Sequence, residues 1–202
     1  MTSTTLTPAA ERIVQLALQH FADRGYDAAS LSDIAGSAGI KKASLYAHFT
    51  GKDELYTAVL NLALQSERDY VNAQFSTEKA GQAPGERYVD NLQSRYAESG
   101  ALRFLLRAAF YPPAPIEQNV KSGFEHYLAV IRERFQASFG LTYPAIASQY
   151  ADLLAEAYLA LIDSLHVELI YGNEAAYSRR LDALHQLISI IGLPLVKGIA
   201  PT

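Results

Sequence analysis

Apolar residues recur at intervals of three and four along almost the whole chain, and runs in which apolar and polar residues alternate are scarce. That spacing follows the 3.6-residue helical turn and not the two-residue repeat of a strand, so the expected fold class is all-α. Half of the 202 residues are hydrophobic and 19% are charged, the balance of an ordered globular chain. There is no cysteine, which excludes disulfides, a thiol redox switch and a thiolate metal centre. The opening MTSTTLTPAAER has no basic segment followed by an apolar run, and nowhere do eighteen apolar residues follow one another. A soluble, cytoplasmic protein with no membrane partner is expected.

Glycine and proline divide the helical pattern. A first helix is expected from Pro8 to Arg24, with Ile13, Ala17 and Phe21 on one face and Gly25 as its stop. Ser30 is placed to cap a short second helix, with Asp33 as the acidic half of a capping pair and Leu31, Ile34, Ala35 and Ala38 as its apolar face. Gly39 ends it. A third helix is expected from Ile40 to Phe49, with Leu45 and Phe49 buried, and a fourth from Lys52 to about Phe75. STEKAGQAPG then reads as a loop, helix resumes at Glu86, and Pro112, Pro113 and Pro115 break the chain after FLLRAAFY. Ile116–Phe139, Tyr143–Tyr171 and a last helix from the cap Asn173 to near Gly192-Leu193-Pro194 complete the reading. The order suggests two unequal domains, 1–51 and 52–202, with 52–75 as a connecting helix.

The net charge of −4 argues against a polyanionic partner only on average. From Ile34 to Lys52 there is no acidic residue, while Lys41, Lys42, His48 and Lys52 are present. Three short helices with a glycine-containing turn before the third are the parts of a helix-turn-helix. Once Ile40, Leu45 and Phe49 are assigned to the core, Lys41, Lys42, Ser44, Tyr46 and His48 face outward, donors suited to phosphates and base edges. Taken alone, the same residues would suit the rim of any amphipathic helix, Ser30 a purely local cap, and Lys52 a solvated ion pair with Asp53 or Glu54.

The stretch SLSDIAGSAGIKKASLYAHFTGKDEL, Ser30 to Leu55, resembles the tetracycline repressor (TetR) family. That family's pattern is Thr or Ser before Ile-Ala, then Ala-Gly-Val, Tyr-x-His-Phe and a Lys three residues on. The match covers about Ile13 to Leu60. It implies a transcriptional regulator, more often a repressor than an activator, that binds palindromic operator DNA as a homodimer. It implies backbone contacts from Ser30, Ser44, Tyr46, His48 and Lys52, with Lys41, Lys42 and Ala43 nearest the bases. Lys41 departs from the pattern, since a Ser or Thr usually caps the recognition helix there; the missing cap should cost about 1 kcal/mol.

Outside that stretch the resemblance is only in helicity and length, and it implies a ligand-sensing and dimerising domain. A small, largely apolar effector is expected, lined by Phe104, Tyr111, Phe124, Tyr127 and Tyr158, with Arg107 and His166 as polar anchors; each aromatic also suits plain core. Leu153–Ile162 is apolar nearly all round and should be covered on several sides, and the stripe Tyr177, Leu181, Leu184, Ile188, Ile191 has no obvious use in a monomer. With Leu154 and Leu161 these residues are the expected dimer interface. His126 and His166 are isolated, so no metal and no cofactor is expected. The rival readings are an enzyme, for which no Gly-x-Ser-x-Gly, His-Glu-x-x-His, Gly-x-Gly-x-x-Gly or Walker motif is present, and a helical dimer without DNA binding, which the Lys-Lys, Tyr-x-His-Phe and Lys set opposes.

Overall fold

The computed structural model describes residues 6–79 and 82–196, the side chains of 189–196 excepted. Among the described residues all regular structure is helical: α1 (Pro8–Ala28), α2 (Leu31–Ser37), α3 (Lys42–Leu45), α4 (Lys52–Ser76), α5 (Glu86–Asp90), α6 (Leu92–Glu98), α7 (Gly100–Phe110), a 3-10 turn (Ala114–Ile116), α8 (Glu117–Thr142), α9 (Ala147–Tyr171) and α10 (Glu174–Val196). None of these helices is long and apolar enough to cross a membrane. The chain folds as two compact units, one of residues up to Glu67 with Glu98–His126, the other of Arg68–Ala97 with Tyr127 onward. α4 and α8 contribute residues to both.

In the first unit α1 packs against α2 and α7, and α2 against α3. Thr7 Oγ1 caps α1 by accepting from Ala10 N at 3.3 Å, and Ile13, Val14, Ala17 and Phe21 are buried along one face. Phe21, Tyr56 of α4 and Phe104 of α7 meet at its centre, with ring centroids 4.8 Å and 4.9 Å apart across Tyr56. Gly25 breaks the α1 geometry as expected, at φ 76°, ψ −179°, but the chain turns helically again to Ala28 instead of stopping at Arg24. Few residues with a Cβ tolerate that conformation.

The second unit is built around hydroxyl-bearing aromatics. Tyr88 and Tyr127 share a buried hydroxyl–hydroxyl hydrogen bond of 2.7 Å. The Tyr158 hydroxyl donates to Gly85 O at 2.8 Å, and its ring stacks on Phe135 with centroids 4.5 Å apart. α10 packs on α9 and α5, capped by Asn173 Oδ1 accepting from Ala176 N at 3.0 Å and held by Arg180, which bridges to Glu168 Oε1 at 2.7 Å.

Several expectations need correction. α9 begins at Ala147, not Tyr143, because Pro144 disfavours helical backbone at the residue before it. α10 runs on to Val196, past the expected stop. The stripe on α10 has a use within one chain: Tyr177, Leu184 and Ile188 are buried there, Leu181 is half-buried, and the side chain of Ile191 lies outside the described residues. Within one chain Leu153–Ile162 is covered on part of its surface only. Leu153 is 65% exposed, Ala157 and Ala160 are exposed, and Leu154 and Leu161 are half-buried.

Candidate nucleic-acid interface

The helix-turn-helix is assembled by local hydrogen bonds and a small shared core. Ser30 caps α2, its Oγ accepting from Ser32 N at 3.2 Å. Asp33 does not complete a capping pair; it bridges instead to Arg24 of α1 at 2.8 Å. Gly39 N and Ile40 N return to the carbonyls of Gly36 and Ala35, both at 3.0 Å, and so close α2 and turn the chain. α3 is shorter than the expected 40–49. One α-helical turn, Lys42–Leu45, is followed by tighter turns in which Ala47 N and His48 N bond to Ser44 O and Leu45 O.

The side chains sort as the periodicity demands. Leu45 and Phe49 are buried, as are Ile34 and Ala35 of α2, on which α3 packs, and Ile40 is half-buried. Lys41, Lys42, Ala43, Ser44, Tyr46 and His48 are all exposed, with Tyr46 at 48% despite its size. Lys41 sits at the first cap position of α3 in extended geometry, φ −74° and ψ 148°, with no side-chain cap. Lys41→Ser should therefore stabilise the protein by about 1 kcal/mol, measured as a shift of the urea midpoint; an unchanged midpoint would mean that the Lys41 stem compensates by packing.

The acids that flank this basic stretch are each occupied. Asp33 is paired with Arg24. Asp53 accepts from the Tyr26 hydroxyl, and the Tyr26 pKa is pushed up to about 12, by burial first and then by this bond. Glu54 folds back on Thr50, accepting from its N–H and its hydroxyl at 2.6 Å each; the hydroxyl and then the amide hold its pKa below the usual carboxylate range. Lys41 and Lys42 make no ion pair among the described residues. Lys52 is half-buried rather than free: its Nζ donates to Asp27 O at 3.1 Å and sits 4.6 Å above the Tyr26 ring. An ammonium has three donors, so two are left for a phosphate. Tyr26 was not legible as a brace, because nothing near it in sequence marks its pairing with Asp53, 27 residues on.

The residues expected to line an effector pocket are divided between the two units. Phe104 lies in the core of the first unit with no free face, and Tyr127 and Tyr158 lie likewise in the core of the second. His166 is fully buried, with neither ring nitrogen hydrogen-bonded; Asp163 Oδ1 is 3.8 Å from Nδ1. Phe124 is half-buried on α8. Arg107 and Tyr111 border an open cleft of about 590 Å³ in the first unit, with Arg24–Ala28, Tyr56 and Pro112–Pro115. In the second unit a cleft of about 630 Å³ lies between the ends of α4 and α8, with Glu78, Arg134 and Ser138 among its walls.

Residues 13–59 match the family model described as bacterial regulatory proteins, tetR family. The biofilm operon icaADBC HTH-type negative transcriptional regulator IcaR of Staphylococcus epidermidis is 46% identical over 46 residues, 23% of this chain and 25% of that protein. IcaR of Staphylococcus aureus is 40% identical over 62 residues, 31% of each chain. The chain thus aligns with about a quarter to a third of these relatives' length. A TetR-family transcriptional regulator from Streptomyces coelicolor has the same fold over 91% of this chain and 89% of its own, with a TM-score of 0.69 and 19% identity.

Proposed function

We propose, from the match of residues 13–59 to the tetR family of bacterial regulatory proteins, that this chain is a ligand-responsive repressor of that family that binds palindromic operator DNA as a homodimer. One observation carries the DNA reading. Every polar residue of the third helix and its following turns is exposed while Leu45 and Phe49 are buried, and each flanking acid is engaged by a neighbour. Residues 1–51 then act as the DNA-binding module and 52–202 as the dimerising and sensing part. Lys41, Lys42 and Ala43 lie nearest the bases; Ser30, Ser44, Tyr46, His48 and Lys52 hold the backbone, Ser30 through the hydroxyl proton that its capping role leaves free. The family's regulators act by binding DNA and not by catalysis. A gel shift with DNA from upstream of the gene, with competitor present, tests this: retention by the wild type and loss with a Lys42→Ala, Tyr46→Ala double variant is expected, and equal retention of both would refute it.

Dimerisation is supported by the apolar surface that one chain leaves open. Leu153, Ala157 and Ala160 recur on one side of α9, and Leu187, 48% exposed, lies on α10. Two helices from each subunit would cover these residues across a two-fold axis. Leu153→Glu should give a folded monomer at micromolar concentration in sedimentation velocity, where the wild type sediments as a dimer; a wild-type monomer would rule the arrangement out. Leu184→Glu is the wrong probe, since Leu184 is 1% exposed within its own chain and the charge would unfold it.

A further inference from the structure

We propose that the cleft between Arg24–Ala28 and the turn Tyr111–Pro115 binds a small aromatic carboxylate. Its volume of about 590 Å³ is in the range of small-molecule sites. The chemistry of its walls is specific. Pro112, Pro113 and Pro115 have no backbone N–H to offer, and Pro112, Pro115 and the exposed ring of Tyr111 give apolar surface for an aromatic ring. The strong hydrogen-bond donors in the lining are the guanidinium groups of Arg24 and Arg107. Arg24 is paired with Asp33 through Nη1 at 2.8 Å. Arg107 makes no ion pair and no side-chain hydrogen bond among the described residues, so its fork of donors is free for a bidentate acceptor.

Arg107 is also positioned. Its Nη1 occupies the space beside Gly25 where a Cβ would come within 2.8 Å, so the missing side chain and the positive φ of Gly25 together make room for the guanidinium. A planar guanidinium fork matches the two oxygens of a carboxylate. Asp27, on the exposed rim, is the one acid of the lining. Its carbonyl faces Lys52 Nζ at 3.1 Å, and Tyr26 beside it donates to Asp53. The wall of the cleft is therefore the segment that holds the start of α4. A bound acid should change how Lys52 is held and lower affinity for DNA, a consequence that rests on the DNA reading above, whereas the binding itself does not.

The test uses the full chain, with 2-naphthoate as the probe and 2-naphthamide as its uncharged twin, followed by calorimetry and by saturation-transfer NMR. Naphthoate is expected to bind saturably and at least about tenfold tighter than the amide, and Arg107→Gln should abolish that preference. If Arg107→Gln fails to fold by circular dichroism, Arg107→Lys keeps charge and stem but loses the fork, and should bind naphthoate about tenfold more weakly. Tyr111→Ala, at a side chain 63% exposed, should weaken both ligands. Equal affinity for acid and amide, unchanged binding by the folded Arg107 variants, or no saturable binding at millimolar concentration overturns the site. A wild type that binds naphthoate but no DNA overturns the operator reading and leaves the site standing. If it binds both, and naphthoate leaves DNA affinity unchanged, the coupling is refuted.

Discussion

The double substitution Lys42→Ala, Tyr46→Ala is expected to lower operator affinity about a thousand- to ten-thousand-fold while leaving thermal stability nearly untouched. Both side chains are exposed, and the only contact between them is Lys42 Nζ at 6.0 Å from the Tyr46 ring centroid. Truncation therefore removes little from the folded chain, and surface changes of this kind usually stay within about ±0.5 kcal/mol. Each subunit of a dimer loses two contacts, at roughly 1–1.5 kcal/mol apiece, and about 1.4 kcal/mol is a factor of ten. Fluorescence anisotropy over a salt series separates the roles. Lys52→Ala should flatten the log–log salt dependence by about two units per dimer and weaken all sequences alike, whereas Lys42→Ala should also change which base is preferred. Undiminished affinity of the double variant would mean that this face does not meet DNA.

Gly85→Ala should be the most damaging single methyl in the second unit, costing about 3–5 kcal/mol of stability by denaturant titration. Gly85 is at φ 76°, and a Cβ there would fall onto the Tyr158 ring and hydroxyl. The ring cannot move aside, because it is 2% exposed and stacked on Phe135. Backbone strain alone accounts for about 1–2 kcal/mol, and displacing a buried tyrosine from its hydrogen bond for much of the rest. Tyr158→Phe distinguishes the two causes. It removes only the hydroxyl, and Gly85 O keeps Val89 N at 3.3 Å, so a loss of about 1 kcal/mol is expected. If Gly85→Ala cost no more than Tyr158→Phe, steric exclusion would not be what holds Gly85 in place.

The helices and the outward set Lys41, Lys42, Ser44, Tyr46 and His48 were legible from sequence because their causes are local. Helical periodicity sorts residues three and four apart onto faces, Ser30 and Asn173 cap helices whose amides lie two or three residues away, and prolines act on the residue before them. The same local logic overestimated α3, whose turns tighten after Leu45, and it assigned Asp33 to a cap when Arg24, nine residues back, competes for it.

What the tertiary structure alone decided is which of several equivalent faces each apolar or charged residue uses. The stripe on α10 is apolar whether its own chain or a second copy covers it, and only packing shows Tyr177, Leu184 and Ile188 already buried and Leu153 and Leu187 left open. Tyrosine at helical spacing suits core and cleft equally. Tyr158 became core through Gly85, 73 residues away in sequence, and Tyr111 became a cleft wall because three prolines turn the chain after it. Such pairings depend on where distant segments meet, and a pattern read along the chain carries the period of a helix but not the identity of the surface it packs on.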